Sequence, residues 1–508
     1  MPTDRLFSWL VTGAIAAVAF VIRFVGLATP NKLVFDETYY PKDAWTLSKF
    51  GYEKGWPDGK IVNPQIVAGN PDGFNPDAAF IVHPQLGKWL IAAGEHLFGM
   101  NSFGWRFPSL IFGVLLIIVT IRLVRRVSRS TLIGGLAGLL LTLDGLHFVM
   151  SRIGLLDMFL AFFVVAAVAC LAVDRDWFRE RLARHLDAKG LTDLGGTFGP
   201  VVLWRPWRLL AGVMFGLACG VKWNGLYGLA AFAVLSLAWD LGARRLAGAG
   251  LQSWRGLLVD GVPAFVQTVV VALIVYVSTW ASWLATAGGW ARAWGANNPN
   301  ALSTRILGQP LASLWKYHTE IWAFHSGAYI NGVEHTYDAR PIGWLVMARP
   351  IGIDAVNDIP PGSQGCPATA DKCLQVISGA GTPLLWWGAA IALVVAAFWW
   401  IGNRDWRFGI PIVGVLANWL PWFGTGDRPQ FFFYAIVIIP FSVMALSMAL
   451  GRLLGPARTG ERRMLGAILV GAFTALVAAN FAFILPILND TVLPYQSWLA
   501  RMWFKSWI

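Results

Sequence analysis

The chain has 508 residues, of which 56% are hydrophobic and only 13% are Asp, Glu, Lys or Arg. Soluble domains carry roughly 25% charged residues, so this chain lacks the polar surface that a water-soluble protein of its length needs. The composition predicts a multi-spanning membrane protein and excludes disordered, fibrous and disulfide-scaffold classes. The formal net charge is +12, but the basic residues are spread between long apolar runs, which argues against nucleic-acid binding.

Apolar windows in the sequence are long enough to cross about 30 Å of hydrocarbon. Eleven such windows predict membrane spans, near residues 10–27, 107–123, 132–149, 155–173, 209–221, 226–241, 263–285, 384–401, 408–423, 431–450 and 464–488. The sequence therefore predicts an all-α polytopic membrane protein in which residues 1–508 form a single transmembrane domain.

Arginine clusters follow every second predicted span. They begin at Arg122, Arg175, Arg244, Arg404 and Arg452. Lys and Arg in short loops are retained on the cytoplasmic side of a membrane. This pattern predicts a cytoplasmic amino terminus and an external carboxy terminus.

Two long loops then lie outside, at residues 28–106 and 286–383. Both are rich in Pro, Asn, Asp, Gly and aromatic residues and contain no 20-residue apolar run. Loops of this length inside a compact protein are usually functional. After Pro84, apolar residues recur at helical spacing, which predicts an amphipathic helix along the outer interface.

The four cysteines divide between the loops and the spans. Cys366 and Cys373 lie in the second long loop, on the oxidising side of the membrane, where a disulfide between them is expected. Cys170 and Cys219 fall in predicted spans and are expected to be buried thiols.

An acidic pair, Asp36 and Glu37, stands about nine residues beyond the first predicted span. Charge is scarce in this chain, and a carboxylate just above the lipid surface can meet the reactive end of a membrane-anchored substrate. Adjacent residues do not share a helix face, so one carboxylate is expected to face the reaction and the other to be structural. The alternative is an ordinary solvated loop pair.

Three cations are expected at the external ends of spans. Arg152 and Lys222 lie at or inside span ends, where ionisable residues are costly and therefore indicate function. Arg428 precedes an aromatic run, and its guanidinium can hold phosphate oxygens in two places. The alternatives are an interfacial anchor for Arg428 and a structural pair between Asp157 and Arg152.

Further candidates for the substrate site lie in the two long loops. They are His83 and Lys88 in the first loop and His335 and Tyr337 in the second. Lys88 could instead extend its ammonium from an interfacial helix. The second loop holds three of the seven histidines, but their intervals match no zinc motif. No cofactor is expected to be required, although a divalent metal stays possible.

One acidic motif and several cations at membrane level suit the transfer of a group from a lipid phosphate. Arg and Lys can hold the charge of the phosphate leaving group. A single carboxylate can then take the proton of an attacking hydroxyl, which gives inversion in one displacement. The sequence has no nucleotide-binding glycine motif, in agreement with a lipid donor.

The motifs, in their order along the chain, resemble those of the protein O-mannosyltransferase family, in its actinobacterial polyprenyl-phosphate-mannose branch. The motifs are Phe35-Asp36-Glu37, His83-Pro84 with Gly87-Lys88, Arg152 through Asp157, Lys222-Trp223, and His335-x-Tyr337 followed by Trp344 and Arg349-Pro350. The resemblance implies a GT-C glycosyltransferase with about eleven spans, Asp36 as the base with Glu37 close by, and a role for Arg152 in activity. Gln85 stands where the family often has a second proline. The second loop is too short for the β-trefoil domain of eukaryotic members.

The resemblance further implies transfer of mannose from polyprenyl-phosphate-mannose to Ser/Thr hydroxyls of secreted or membrane proteins on the external face. The acceptor would emerge from the secretion machinery, and membrane lipid would surround the enzyme. One alternative is a related GT-C enzyme that moves another sugar or uses a lipid acceptor. A lipid transporter is the alternative from another class, but it should show inverted repeats with broken helices, and the sequence shows none.

Overall fold

The computed structural model describes residues 4–455 and 460–508. Arg458, one of the arginines that precede the last predicted span, lies outside these ranges. The first ten α-helices of the described chain are α1 (Arg5–Phe24), α2 (Tyr40–Phe50), α3 (Gly59–Val67), α4 (Leu86–Phe98), α5 (Ser102–Ser128), α6 (Thr131–Thr142), α7 (Gly145–Met150), α8 (Asp157–Ala188), α9 (Pro206–Val221) and α10 (Gly225–Leu246).

The remaining α-helices continue this order. They are α11 (Gly256–Val259), α12 (Gly261–Phe265), α13 (Val271–Ser278), α14 (Ala281–Ala285), α15 (Trp294–Asn297), α16 (Leu302–Ser326), α17 (Ala328–Asn331), α18 (Pro383–Ile401), α19 (Trp406–Trp419), α20 (Ile439–Leu454), α21 (Glu461–Ile484) and α22 (Tyr495–Leu499). A π-helical turn, Val266–Val270, joins α12 to α13.

Helices coincide with all eleven predicted apolar windows. Seven helical segments in the described ranges are long and apolar enough to span a membrane, and α6, α9 and α20 are shorter apolar helices. The seven are Arg5–Phe24, Ser102–Ser128, Asp157–Ala188, Gly225–Leu246, Gly250–Ser278, Pro383–Ile401 and Glu461–Ile487. The chain is a multi-pass membrane protein, and the count of eleven crossings stays a prediction.

The centre of the bundle is α8, which packs against α5, α9 and α10. In its most apolar stretch 78% of residues are buried, against 22% in α1. The outer helices keep apolar side chains exposed, as a lipid-facing surface requires. Because α8 begins at Asp157, the core helix fixes the position of the chemical groups at that end of the bundle.

The second long loop contributes two strands to a small sheet that the all-α prediction did not include. Strands β1 (Ile351–Ile359), β2 (Cys373–Gly379) and β3 (Val492–Pro494) pair antiparallel in the order β1-β2-β3. The expected disulfide joins Cys366, in the connection between β1 and β2, to Cys373, the first residue of β2. The last strand comes from the end of the chain, so the sheet depends on a pairing that local sequence does not reveal.

Candidate active site

The acidic motif forms a 3₁₀ turn, Phe35–Thr38, in which Glu37 is completely buried. The Glu37 carboxylate accepts hydrogen bonds from Arg106 Nε at 2.8 Å and Nη2 at 2.9 Å. It also accepts the backbone N–H of Gly154 at 2.8 Å and of Val34 at 3.0 Å. Glu37, predicted with Asp36 as a catalytic candidate, therefore connects the turn to α5 and to the segment before α8.

The contacts of Glu37 help to hold a strained backbone conformation at Phe35, the residue before Asp36. Phe35 has a φ of 48°, in the left-handed region that aromatic side chains rarely adopt. Such a conformation costs about 1–3 kcal/mol and persists only where the surroundings enforce it. The Phe35 ring packs edge-on against Phe433 with the centroids 5.6 Å apart. The turn is thus held by the packing of Phe35 and by the hydrogen bonds of Glu37.

Asp36 points away from this network and lines a cavity of about 950 Å³. Among the residues that the structure describes, the contact to its carboxylate is the Tyr40 hydroxyl, 3.5 Å from Oδ2. Burial raises the pKa of Asp36 to about 6, with Asp157 adding to the rise and Lys222 opposing it. A carboxylate with this pKa is ionised at neutral pH and accepts a proton more readily than an ordinary aspartate.

Lys222 and Asp157 form a buried ion pair where α9 ends and α8 begins. The Lys222 ammonium lies 2.8 Å from Oδ2 and 3.0 Å from Oδ1 of Asp157. The alternative that pairs Asp157 with Arg152 is therefore wrong. The same ammonium lies 5.9 Å from the centroid of the Phe433 ring. This contact connects the pair to the aromatic packing around Phe35.

Arg152 has a different environment from the one that the phosphate hypothesis expects. Its guanidinium donates to the backbone carbonyls of Arg23 at 2.7 Å, Val25 at 2.6 Å and Gly26 at 2.8 Å. These are the free carbonyls at the end of α1, where the helix dipole favours a cation. Arg152 is absent from the residues that line the cavity of Lys222 and Arg428. The structure thus does not bring the three cations together.

A second cavity, of about 580 Å³, contains the remaining cations. Lys222, Arg428, His83 and His325 line it together with aromatic side chains. The aromatic members are Trp223, Tyr227, Trp322, Trp422 and Tyr434. Arg428 Nη1 lies 3.4 Å from His325 Nδ1, and in the described ranges its buried Nε has no hydrogen-bond partner.

The two histidines of this cavity stack on each other with their ring centroids 5.5 Å apart. Burial, followed by the charge of Lys222, lowers the pKa of His83 well below its ordinary value. Burial also lowers the pKa of His325. His83 is therefore neutral at pH 7 and can donate a hydrogen bond without adding charge. The Nε2–H of His325 already donates to the backbone carbonyl of Val82 at 2.9 Å, and its Nδ1 accepts from Arg428. The sequence supplied no reason to separate His325 from the other histidines of its loop.

Of the other predicted substrate-site residues, Lys88 reaches one of the two cavities, whereas His335 and Tyr337 do not. Lys88 is buried and paired with Asp43 at 2.9 Å and Glu53 at 3.2 Å, although it also lines the cavity of Asp36. His335 packs edge-on against Phe431, and its Nδ1 accepts the backbone N–H of Tyr337. Neither His335 nor Tyr337 lines the two cavities.

Sequence reasoning missed Arg106, the partner of Glu37. The available signal was its position one residue before the second apolar window, on the same side of the membrane as the acidic motif. Within residues 4–455 and 460–508, no group of three or more His, Cys, Asp or Glu side chains could hold a metal ion.

Two family models match the chain. Residues 13–185 match the family described as dolichyl-phosphate-mannose-protein mannosyltransferase. Residues 310–507 match the C-terminal four TMM region of protein-O-mannosyltransferase. A relative from Mycobacterium tuberculosis (strain ATCC 25618 / H37Rv), polyprenol-phosphate-mannose–protein mannosyltransferase, is 38% identical over 515 residues, which cover 100% of this chain and 93% of the relative.

Two solved structures have a similar fold. One is the S. cerevisiae protein O-mannosyltransferase Pmt1-Pmt2 complex bound to the sugar donor, with a TM-score of 0.70, 14% identity and coverage of 100% of this chain and 93% of that one. The other is ArnT from Cupriavidus metallidurans bound to undecaprenyl phosphate, with a TM-score of 0.51, 16% identity and coverage of 95% and 71%. Both are GT-C enzymes, and the predicted GT-C fold is confirmed.

Proposed function

Because the chain belongs to the dolichyl-phosphate-mannose-protein mannosyltransferase family, we propose that it transfers mannose from polyprenyl-phosphate-mannose to Ser/Thr hydroxyls of proteins, with Asp36 as the general base. The donor and the protein acceptor follow from the name of the M. tuberculosis relative. The observation that carries the assignment of Asp36 is its carboxylate, which faces a large cavity without an ion-pair partner among the described residues.

The donor phosphate occupies the cavity of Lys222 and Arg428 in this proposal. Lys222 is already balanced by Asp157, so Arg428 supplies the uncompensated positive charge. A guanidinium grips phosphate oxygens in two places and its charge is permanent. His83 adds a neutral donor, and the aromatic walls suit the sugar ring. A cavity of about 580 Å³ is within the range of small-ligand sites.

The acceptor segment occupies the cavity of Asp36. This cavity is larger, about 950 Å³, and polar groups of α2, α3 and the preceding loop line it. They include Lys42, Asp43, Lys54, Asp58 and Lys60, with Trp56 among them. A peptide bound there can place a Ser or Thr hydroxyl against Asp36 while its backbone meets polar side chains.

The reaction is one displacement at the anomeric carbon. The acceptor oxygen forms a bond to this carbon as the bond to the phosphate oxygen breaks, and the electron pair leaves with the phosphate. Asp36 takes the hydroxyl proton, and the cations of the donor cavity stabilise the phosphate as its charge grows. Attack opposite the leaving group inverts the sugar configuration.

The active site faces the outside of the cell in this proposal, with the amino terminus in the cytoplasm. The support comes from α5, whose early Arg106 contacts the acidic turn while Arg125 and Arg126 lie near its other end. The end of a membrane helix that carries the cluster of arginines is expected on the cytoplasmic side. An external site is accessible to proteins as they leave the secretion machinery, which fits a secreted or membrane-bound acceptor.

A transfer assay with the purified full-length protein tests the proposed function. Labelled polyprenyl-phosphate-mannose is incubated in detergent with a Thr-rich peptide, and the glycopeptide is analysed for attachment site and anomeric configuration. We expect mannose on a Thr hydroxyl with the configuration opposite to that of the donor. Transfer to a lipid acceptor in place of the peptide, or a product that retains the donor configuration, would contradict the proposal.

A further inference from the structure

A third cavity lies at the other end of the bundle and is lined by arginines from three places. Arg126 and Arg129 come from the end of α5, Arg175 and Arg179 from α8, and Arg407 from α19. The cavity volume is about 570 Å³. Twenty residues separate Arg126 from Arg106 on one helix, so at 1.5 Å per residue this cavity lies about 30 Å from the contact with Glu37.

Two carboxylates line this cavity and they do not balance the five arginines. Asp176 is shared, at 3.1 Å from Arg126 Nε and 3.3 Å from Arg175 Nη1. The second carboxylate, Glu180, pairs with Arg184, which does not line the cavity. The lining therefore has three more positive than negative charges. One of the positive charges, on Arg407, is paired with Asp405, which lies outside the lining.

The guanidinium of Arg175 is fixed in a buried position. Arg175 is 6% exposed, and its guanidinium carbon lies 3.2 Å from the centroid of the Trp406 ring. Its Nε and the Nε of Arg179 are buried, and neither has a hydrogen-bond partner among residues 4–455 and 460–508. Unsatisfied buried donors are costly. Two such donors beside a positively charged cavity indicate that an anion belongs there.

We propose that this arginine cavity binds the phosphate headgroup of an anionic phospholipid. Guanidinium groups match phosphate in charge and in two-pronged geometry, and basic pockets between membrane helices are suited to anionic headgroups. This site is separate from the donor site and does not depend on the proposed transfer reaction.

An adjoining apolar groove favours a lipid over a soluble phosphate. Arg452 shares the carboxylate of Asp405 with Arg407, at 2.7 Å from Oδ2. Arg452 also lines a groove of about 480 Å³ whose other lining residues come from α18, α20 and α21 and are apolar. The tryptophan Trp406 is typical of the membrane interface. A headgroup in the arginine cavity can thus extend an acyl chain along a surface that faces hydrocarbon.

Lipid binding to the full-length protein tests this site. The protein is purified in detergent, and its binding of phosphatidylglycerol and of phosphatidylcholine is titrated by native mass spectrometry. The test variant is Arg129→Gln/Arg179→Gln. The matched control, Arg181→Gln/Lys189→Gln, removes the same charge from exposed basic residues near the end of α8 that do not line the cavity.

We expect the wild-type protein to prefer phosphatidylglycerol and the test variant to lose at least about tenfold in affinity for it, because two charge-assisted contacts are removed. The control should lose less than about twofold. Arg129 is exposed at the end of α5, so Arg129→Gln alone gives a folded variant with a smaller loss if the double variant is unstable. Unfolding midpoints in phosphatidylcholine verify that each variant is folded.

Three results would overturn the proposal. The first is equal loss in the test and control variants, which would indicate general attraction to charge. The second is no preference for phosphatidylglycerol in the wild-type protein. In the third, inorganic phosphate displaces the lipid at an equal concentration, which would identify a site for a soluble anion.

Discussion

Substitution of Glu37, which forms a buried pair with Arg106, tests whether Glu37 positions the turn while Asp36 acts in the reaction. Both side chains are at most 1% exposed. In Glu37→Gln, Arg106 keeps its backbone acceptors at Pro30 and Lys32 but loses the balancing charge. Removal of one partner from a buried ion pair costs about 3–5 kcal/mol. The strained backbone at Phe35 would lose its support at the same time.

We therefore expect Glu37→Gln to lower both the unfolding free energy and the transfer rate, whereas Asp36→Asn lowers only the rate. Denaturant titration in detergent measures the first quantity, and the labelled-donor assay measures the second. Glu180→Gln is the matched control, because its exposed pair with Arg184 should contribute at most about 0.5 kcal/mol. The double variant Glu37→Gln/Arg106→Gln should recover part of the stability, since no unbalanced guanidinium is left.

The reasoning fails if Glu37→Gln unfolds at the wild-type midpoint and still loses transfer as completely as Asp36→Asn. That result would place Glu37 at the reaction and remove the distinction between a base and a positioning residue.

Four further predictions concern other residues of the site and of the fold. Because burial raises the pKa of Asp36 to about 6 and only the ionised carboxylate accepts a proton, the transfer rate should fall about tenfold per pH unit below 6; a flat profile between pH 7 and 5 would contradict this. Arg428→Ala should weaken donor binding about tenfold or more, with partial rescue in Arg428→Lys, as measured by donor titration. Asp174 and Asp240 form a buried cluster with Arg205 and Arg208. Asp174→Asn leaves the two arginines with one carboxylate, so the unfolding free energy should fall by about 3–5 kcal/mol, and an unchanged denaturant midpoint would refute this. Reduction of the Cys366–Cys373 disulfide should cost at most about 2–3 kcal/mol and leave the transfer rate unchanged in a reductant titration.

Much of the helical fold could be predicted because apolar length is a local property of the sequence. Each of the eleven windows coincides with helix, and no tertiary contact was needed to find them. The sheet was not predicted, since β2 pairs with residues 492–494 from the far end of the chain. Such a pairing depends on how the helices bring the two segments together.

The sequence indicated most of the candidate residues of the site, but not how their side chains are arranged. Asp36 and Glu37 were identified together. Because adjacent residues do not share a helix face, one was expected to face the reaction and the other to be structural, but this rule did not say which. The family resemblance assigned the base to Asp36, and the burial of Glu37 against Arg106 supports this assignment. Arg152 shows the limit of the reasoning, because a cation at a span end can serve a ligand or the carbonyls of another helix. Its three contacts with the end of α1 depend on a neighbour distant in sequence.

The central claim is that Asp36 takes the acceptor proton, and the most direct measurement compares Asp36→Asn with the wild-type protein in both donor binding and mannose transfer. Asp77→Asn, an exposed aspartate of the same loop, is the control. We predict that Asp36→Asn binds the donor within about threefold of wild type while transfer falls by about 10²- to 10⁴-fold. Transfer by a folded Asp36→Asn protein at a rate near that of Asp77→Asn would contradict the claim.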